Sequence, residues 1–213
     1  MSVSGNLQKI LAELGSVQLV AVTKYAAPEQ MQELLDAGYF TLGENKVQSA
    51  RQKAEQYRQY PVQWHLLGHL QTNKARQAVQ IFELIQSIDS EKIAAAVARA
   101  AAQINKRQKI LVQVNIGREP QKSGAAPEQL GALLEYCARR PELQTLGLMA
   151  LAPDLLDREQ TRPYFREMKE LFDCYSVQYG LEILSLGMSG DYSVAVQEGA
   201  NMVRIGSKLF TGE

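Results

Sequence analysis

Short apolar runs alternate with longer amphipathic segments along the whole of this 213-residue chain, and this alternation limits the folds that it can adopt. The runs are rich in Val, Ile and Leu, which is typical of strands buried on both faces, and they lie at 17–23, 39–42, 62–67, 83–88, 110–116, 145–150, 181–186 and 202–205. The helix candidates between them lie at 28–37, 45–58, 72–80, 90–105, 127–140, 158–178 and 191–198. Strict alternation of this kind implies parallel strands joined by crossover helices, so we predict an α/β protein.

The number of strand signals favours a closed sheet. Eight such signals in one chain predict a (β/α)₈ barrel, the TIM-barrel architecture. The alternative is an open doubly wound sheet, which is disfavoured because no GxGxxG follows the first strand. A length of about 200–250 residues is compatible with one barrel, and we see no linker, low-complexity tract or convincing repeat. We therefore expect residues 1–213 to form a single domain.

Net charge, cysteine spacing and hydropathy indicate which partners the protein can bind and in which cellular compartment it lies. Lysine plus arginine and aspartate plus glutamate number 23 each, so the neutral chain has no global field to attract nucleic acid or an anionic membrane. Cys137 and Cys174 have neither CxxC nor metal-site spacing, which indicates free thiols. No segment has the apolar core of a signal peptide or the roughly 18 apolar residues of a membrane span. We expect a cytoplasmic monomer that binds neither nucleic acid nor membranes.

The stretch LVAVTKY, residues 19–25, ends an apolar strand-like run in a lysine. Because residues two apart share one face of a strand, Val20, Val22 and Lys24 should all point into the barrel. Lys24 would then lie at the carboxyl end of the strand, where barrel active sites are found. Two interpretations are open: a lysine that snorkels to water from the strand end, or a desolvated amine that forms an imine with a carbonyl compound.

Polar residues also follow the second and third strands. Asn45, in the GENK motif, either caps the following helix or presents its amide to a ligand at the barrel mouth. His65 and His69 are the two histidines of the chain, and they lie four residues apart across a glycine. Because no third histidine or carboxylate joins them, we expect no metal site, and we expect His65 to pack or hydrogen-bond near the mouth.

The last part of the chain, 184–212, carries two glycine-containing loops, with Gly187, Ser189 and Gly190 after the seventh strand and Gly206 and Ser207 after the eighth. Backbone N–H groups of such loops at helix N-termini bind phosphate. In barrels of this kind the loops after strands seven and eight often form the phosphate site. The alternative is that these glycines only turn the chain, and we favour the phosphate interpretation.

Arg204 lies on the last strand and shares a face with Met202. If that face points inward, a guanidinium lies in the barrel and needs a partner, for which a ligand heteroatom is one candidate. A carbonyl compound with a phosphate and a ring acceptor would satisfy Lys24, the glycine loops and Arg204 together. Pyridoxal 5′-phosphate (PLP) is such a compound: its aldehyde would take Lys24 and its pyridine nitrogen Arg204.

A highly specific pattern is formed by the segments AVTKYAAPEQM, GENKVQ, WHLLGHLQTNKAR, VNIGREPQKSG, GLMALAP and LGMSGDYSVAVQEGANMVRIGSKLFTG. In these segments the sequence closely resembles the PLP homeostasis proteins, also called the proline synthase co-transcribed family, and the resemblance covers nearly the whole chain. It implies a barrel similar to the amino-terminal domain of alanine racemase, with PLP held as an imine on Lys24. One departure from the family is Lys46, where an aromatic residue is expected.

The resemblance also implies roles for the other candidate residues. Phosphate would be held by Ser189, Gly190, Gly206 and Ser207. Arg204 would face the pyridine nitrogen. The plausible neighbours of the ring are Asn45, His65 and Met149.

The function implied by the resemblance is PLP homeostasis, with no catalytic residues. Arginine keeps the ring nitrogen unprotonated, which weakens the electron sink that PLP catalysis uses. Racemases of this fold resemble a two-domain design with a tyrosine from a partner subunit, whereas this sequence ends at Glu213. We expect a protein that holds, buffers or delivers PLP, with apo PLP enzymes as recipients. The alternatives are a weak racemase-type PLP enzyme and a Schiff-base aldolase acting on a sugar phosphate.

Overall fold

The computed structural model describes residues 2–212 and shows a closed barrel of eight parallel strands in the order β1 to β8. The strands are β1 Gln18–Val22, β2 Thr41–Glu44, β3 Gln63–Leu66, β4 Leu84–Ile88, β5 Gln108–Val114, β6 Leu143–Ala150, β7 Ile183–Ser185 and β8 Met202–Ile205. β8 pairs with β1 and closes the barrel, with Val20 opposite Arg204. The predicted barrel is therefore confirmed, and the open doubly wound sheet is excluded.

The helices of the described residues are α1 Val3–Leu14, α2 Pro28–Asp36, α3 Val47–Gln56, α4 Ala75–Ile81, α5 Glu91–Ala102, α6 Leu130–Ala138, α7 Arg162–Tyr179, α8 Tyr192–Gln197 and α9 Ser207–Phe210. Seven of them, α2 to α8, lie within or close to the predicted helical ranges. Pro28 begins α2, as a residue with a fixed φ and no N–H can at a first helical position. Pro127 instead begins a short 3₁₀ turn, and α6 starts after it at Leu130.

The N-terminal helix α1 was not predicted, although its sequence carries the signals of one. Ser2 caps it by accepting a hydrogen bond from the Gly5 N–H at 3.2 Å. Gly15 ends it with a positive φ of 59°, a conformation that glycine adopts without steric cost. Its apolar face, which includes Leu7 and Ile10, is buried against the barrel. This helix also contacts α9, and thus supports one of the two glycine loops from outside.

The apolar core has two layers. A large outer layer packs the helices against the strands, and a smaller inner layer fills the barrel. The inner layer consists of Val20, Leu67, Leu84, Leu111, Met149 and Met202. Burying a large apolar side chain contributes about 1.5–3 kcal/mol, so this layer is an energetic core and the barrel is not a pore. It is dense enough that a Cβ added at Gly43 would lie 2.6 Å from Leu67 Cδ1.

No helix in residues 2–212 combines the length and the apolar character that a membrane crossing requires. Within the same residues, no group of three or more His, Cys, Asp or Glu side chains is arranged to hold a metal ion.

Candidate functional site

An open cavity of about 670 Å³ lies at the carboxyl ends of the strands. Among the residues that line it are seven of the nine predicted site residues: Lys24, Asn45, Ser189, Gly190, Arg204, Gly206 and Ser207. They come from β8 and from the segments after β1, β2, β7 and β8, which are neighbours in the closed sheet. Closure of the barrel thus brings residues that are up to 183 positions apart in sequence to one wall of one cavity.

Lys24 lies beyond the end of β1 and not on the strand. Val20 and Val22 do point into the barrel, but the chain turns at Thr23, whose carbonyl accepts from the Ala26 N–H at 3.1 Å. Lys24 occupies the centre of this turn, lines the cavity and is exposed, with its Nζ 4.6 Å from the centroid of the Tyr25 ring. Of the two interpretations left open by the sequence, the exposed lysine at the strand end is the one that describes this structure. The amine is accessible, which leaves it free to meet a ligand carbonyl.

The turn that carries Lys24 rests on a buried ion pair. Glu44, at the end of β2, is 1% exposed, and its Oε1 lies 2.6 Å from Lys53 Nζ. The Thr23 hydroxyl donates to the same carboxylate oxygen at 2.7 Å, and Lys53 also donates to the Thr23 carbonyl. Both polar groups of the residue before Lys24 are thus held by one carboxylate–ammonium pair. Glu44 and Lys53 position the turn without lining the cavity.

Arg204 is buried in the barrel with its guanidinium at the floor of the cavity, as its strand position predicted. Its Nη1 donates to the Ser185 carbonyl at 2.8 Å and to Ser185 Oγ at 2.6 Å. Its Nη2 donates to the Ala150 carbonyl at 2.8 Å. Three of the five N–H groups of a guanidinium are thereby used. The N–H groups on Nε and the second on Nη2 have no acceptor among residues 2–212 and are left for a ligand.

The charge of Arg204 lies in the low-dielectric interior of the barrel. No carboxylate of the described residues forms a salt bridge with it, and its partners are neutral oxygens. Burial lowers its pKa to about 10, and the charge of Asp191 partly opposes that effect. Arg204 is therefore still a cation at neutral pH. A buried cation with neutral partners is costly unless a ligand acceptor completes its coordination.

His65 and Met149 do not line the cavity. Both side chains point into the barrel, where Met149 is fully buried and His65 is 4% exposed. Leu67 and Leu151, each two residues further along the chain, line the cavity in their place. Two residues along a strand correspond to about 6.6 Å, so His65 and Met149 lie about that far from the residues that line the cavity. His65 instead hydrogen-bonds through Nδ1 to Gln86 Nε2 at 3.1 Å.

The two glycine loops meet at one end of the cavity. Ser189 Oγ accepts from the Gly206 N–H at 3.1 Å and from the Lys208 N–H at 3.4 Å. The Ser189 hydroxyl oxygen, from the loop after β7, is thus hydrogen-bonded to backbone amides at the start of α9. At Gly190 an added Cβ would meet no atom within 4 Å, so this part of the loop faces open space. The donor set, which is backbone amides and small hydroxyls, is of the type that holds a phosphate.

The loop after β7 is held in place by hydrogen bonds to its backbone. Asp191 accepts from the Met188 N–H at 2.6 Å, and the Gly187 carbonyl accepts from the Arg204 N–H at 3.0 Å. Gly187 has a positive φ of 83°, and an added Cβ would lie 2.7 Å from Tyr192 Cα, so only glycine fits there. The backbone of this loop is consequently tied to the same residue, Arg204, whose side chain lies in the cavity floor.

On the other side of Lys24, Asn45 lines the cavity and is exposed. It does not cap α3, whose N-cap is Lys46 without a side-chain cap. A Cβ added at Gly68 would lie 2.2 Å from the Asn45 carbonyl oxygen, which explains the glycine in WHLLGHL. The amide interpretation of Asn45 is the one that the position of the residue allows.

The cavity continues to a far wall formed after β3 and β5, with His69, Gln113, Lys122 and Ser123. His69 Nδ1 lies 3.2 Å from Asp89 Oδ2, and Lys122 Nζ lies 2.7 Å from Glu119 Oε1. The segment 116–126, which follows β5, contributes Lys122 and Ser123. The sequence indicated that segment 116–126 lies at the active face, but it assigned no ligand contact to these four residues. Sequence reasoning also missed Glu44, Gln86 and Ser185, because single polar residues within strands carry no signal of their own.

Comparison with known proteins places these features in a family. The sequence profile described as alanine racemase, N-terminal domain, matches residues 2–213. A pyridoxal phosphate homeostasis protein of Aquifex aeolicus (strain VF5) is 39% identical over 195 residues, which cover 91% of this chain and 86% of that protein.

Solved structures agree with the sequence comparison. PipY of Synechococcus elongatus PCC7942, solved with PLP bound, is 36% identical with a TM-score of 0.91, over 98% of this chain and 100% of PipY. An alanine racemase of Clostridium difficile 630 shares the fold alone, with a TM-score of 0.78 at 16% identity over 98% of this chain and 56% of the racemase. The chain belongs to the pyridoxal phosphate homeostasis protein family, within the family described as alanine racemase, N-terminal domain.

Proposed function

We propose that this protein binds PLP in the barrel mouth and serves PLP homeostasis, holding, buffering or delivering the cofactor. The observation that carries the proposal is Arg204, a buried guanidinium with two unused N–H groups at the floor of a cavity whose rim carries Lys24. The amides and hydroxyls near Ser189 and Gly206 would hold the phosphate. The similarity to a pyridoxal phosphate homeostasis protein and to PLP-bound PipY supports this assignment.

Each part of the cavity matches one part of the cofactor. Lys24 would bind the aldehyde covalently, and Arg204 would donate to the pyridine nitrogen. Asn45 would contact the ring from the β2 side. When bound, PLP supplies an aldehyde that condenses reversibly with amines and a ring that withdraws electrons from the carbon it activates. His65 and Met149 are assigned no contact with the ring, because they lie below the cavity.

The test of the covalent bond uses the two lysines that line the cavity, Lys24 and Lys122. Purified protein incubated with PLP should turn yellow, and borohydride followed by peptide mapping should find one pyridoxyl group on Lys24. Lys24→Ala should abolish the trapped adduct, whereas the matched variant Lys122→Ala should keep it. A reducible adduct on any other lysine in the wild-type protein would overturn the assignment.

We further infer that the bound cofactor is carried and not turned over. The guanidinium of Arg204 only donates hydrogen bonds, so the ring nitrogen facing it must accept, stays unprotonated and keeps the electron sink weak. The cavity is also open, with Tyr25 87% exposed at its rim, so water reaches the site. Access of this kind favours release of the ligand, and it exposes a reactive intermediate to hydrolysis.

A slow PLP enzyme is the second candidate function, and one observation favours it. His69 lines the far wall and hydrogen-bonds to Asp89, which is the arrangement of an imidazole prepared for proton transfer. The test is incubation with L-alanine and other amino acids in deuterated water, following chirality and α-proton exchange. Multiple turnovers faster than free PLP, lost in His69→Asn, would replace the carrier proposal by the enzyme.

The electronic role of Arg204 has a separate test. In Arg204→Glu, a carboxylate would favour a protonated ring nitrogen and strengthen the electron sink. Slow conversion of bound PLP to its pyridoxamine form should then appear in the presence of an amino acid. If the variant and the wild type behave alike, Arg204 does not contact the ring.

Delivery to other proteins is the last part of the proposal. The PLP-loaded protein, which we propose to be a monomer, would be mixed with an apo PLP enzyme and a trap that consumes free PLP. Activation despite the trap would support direct transfer to a recipient. Activation only without the trap would reduce the function to buffering.

A further inference from the structure

A chain of four polar side chains crosses the interior of the barrel below the cavity. Arg204 Nη1 donates to Ser185 Oγ at 2.6 Å, Ser185 Oγ donates to Gln86 Oε1 at 2.7 Å, and Gln86 Nε2 meets His65 Nδ1 at 3.1 Å. Gln86 Nε2 also donates to Met202 Sδ at 3.3 Å. Ser185 and Gln86 are fully or almost fully buried, and His65 is 4% exposed. An apolar barrel interior does not need these residues for packing.

The direction of every hydrogen bond in this chain follows from one fact. A guanidinium only donates, so Ser185 Oγ must accept from Arg204 and turn its own proton onward. Gln86 must then accept with Oε1, which points its amide N–H groups at His65 and Met202. His65 Nδ1 must therefore be bare, and its proton must lie on Nε2. Burial lowers the pKa of His65 to about 4, in agreement with a neutral ring at the end of the chain.

The hydrogen-bond chain in turn restricts the orientation of the Arg204 guanidinium. Ser185 holds both N–H groups of Nη1, one through its carbonyl and one through its hydroxyl. The hydroxyl can act as an acceptor in a fixed direction because Gln86 takes its proton. With Nη2 held by Ala150, the guanidinium plane cannot rotate. The unused N–H groups, on Nε and Nη2, thus belong to a fixed guanidinium that lines the cavity.

We propose that Ser185, Gln86 and His65 are positioning residues that fix the guanidinium of Arg204 for a ring acceptor in the cavity. None of the three lines the cavity, so they act through Arg204 and not on the ligand. This inference rests on the proposed binding of PLP, and it assigns a role to His65 that differs from direct contact with the ring. It also explains why a hydrophilic glutamine lies fully buried in the middle of β4.

The first test uses the ligand-free protein, and so does not depend on the proposed function. The protein has two histidines, so ¹⁵N-detected NMR resolves both imidazole rings. In the wild type, the His65 ring should show an unprotonated Nδ1 and a protonated Nε2. Ser185→Ala removes one oxygen that does not touch His65, yet it should mix the two tautomers because Gln86 is then free to turn its amide.

The matched control is Ser87→Ala. Ser87 lies on the same strand as Gln86, is 1% exposed, and its hydroxyl has no hydrogen-bond partner among residues 2–212. Ser87→Ala removes a hydroxyl that is equally buried but lies on the opposite face of β4, so it leaves the four-residue hydrogen-bond chain intact. The His65 tautomer should stay as in the wild type, which separates coupling through the chain from a general loosening of the barrel.

The second test uses PLP-loaded protein and reads absorption. Ser185→Ala and Gln86→Leu should shift the ratio of the visible to the near-ultraviolet band of the bound cofactor and raise the Kd for PLP by about 10-fold, whereas Ser87→Ala should do neither. Should Gln86→Leu fail to fold, Ser185→Ala alone decides. If the wild type binds PLP but Ser185→Ala leaves both the cofactor spectrum and the His65 tautomer unchanged, the positioning role is wrong. If the wild type binds no PLP, the proposed function is wrong. An unchanged His65 tautomer in Ser185→Ala would in that case still show that the hydrogen-bond chain does not couple Ser185 to His65.

Discussion

Two buried charges flank β1, one on each neighbouring strand, and they are partnered in opposite ways. Glu44, on β2, has an ion-pair partner in Lys53 at 2.6 Å. Arg204, on β8, has only the neutral oxygens of Ser185 and Ala150. Both are nearly inaccessible, at 1% and 3% exposed. Lys24 lies between them at the end of β1.

The difference separates structural charge from binding charge. The charges of Glu44 and Lys53 compensate each other, so neither needs a ligand. Removing one of them would leave an uncompensated buried charge. A buried cation with neutral partners and unused donors is instead incomplete, and a ligand acceptor can complete it. By this criterion Glu44 and Lys53 belong to the scaffold that holds the Lys24 turn, and Arg204 belongs to the site.

The largest expected effect is on the ion pair. In Lys53→Met, the buried Glu44 carboxylate loses its partner, and the free energy of unfolding should fall by about 3–5 kcal/mol. Urea denaturation measures this. The matched control is Lys46→Met, at an exposed position just before the same helix, where a change within about 0.5 kcal/mol is expected.

The double variant Glu44→Gln/Lys53→Met should recover most of that loss, since no charge then remains buried. A loss below about 1 kcal/mol in Lys53→Met would mean that water reaches Glu44, and the distinction between the two flanks of β1 would disappear.

The next effect concerns His65, at the far end of the hydrogen-bond chain that begins at Arg204. His65 has a pKa lowered to about 4 by burial, against about 6.5 in an unfolded chain. The unfolded state therefore binds a proton before the folded state does, so His65 contributes full stability above pH 6.5. That contribution is lost as the pH falls from about 6.5 toward 4, by up to about 3 kcal/mol.

The measurement is the free energy of unfolding between pH 7.5 and 4.5 for wild type and His65→Gln. The wild-type curve should fall more steeply, because glutamine does not titrate. His69→Gln, at a side chain 52% exposed, is the control, because it removes the other histidine without removing a buried ring. Parallel curves for wild type and His65→Gln would show that His65 is not held neutral.

A smaller effect is expected at Arg204 itself. Arg204→Met removes a costly buried cation and leaves the Ser185 and Ala150 oxygens short of a donor, and these terms oppose each other. The free energy of unfolding without ligand should change by less than about 1 kcal/mol. Since replacing Lys53 should cost several times more, a loss of similar size in both variants would contradict the assignment of Arg204 to the site.

The fold was predictable because each strand is an apolar run and each β/α unit repeats the same order. Depth along the barrel axis was not predictable, because alternation fixes which face a residue occupies but not how far it lies from the mouth. His65 and Met149, which the resemblance implied as ring neighbours, lie below Leu67 and Leu151, the residues that line the cavity. Lys24 was placed correctly at the mouth although the strand ends before it, at Val22.

The supporting residues were the least predictable part of the site. Gln86, Ser185 and Glu44 have partners on distant segments, such as Ser185 with Gln86, 99 positions away. One sequence without structure does not pair such residues. The ring contacts, the phosphate site and the covalent lysine remain predictions, and the experiments on Lys24 and Arg204 test them.

The smallest expected change in folding is at Lys24, where the largest change in binding should occur. Lys24 is exposed and makes no salt bridge among residues 2–212, so Lys24→Ala should alter the free energy of unfolding by no more than about 0.5 kcal/mol without ligand. Saturating PLP should stabilise the wild type, by about 2.7 kcal/mol at 100 times its Kd. At the same PLP concentration the variant should gain less, because only its phosphate and ring contacts remain. Thermal unfolding with and without PLP measures both quantities in one protein. A variant that loses stability without ligand would place Lys24 with Lys53 in the scaffold, and equal stabilisation by PLP would remove the covalent bond from the proposal.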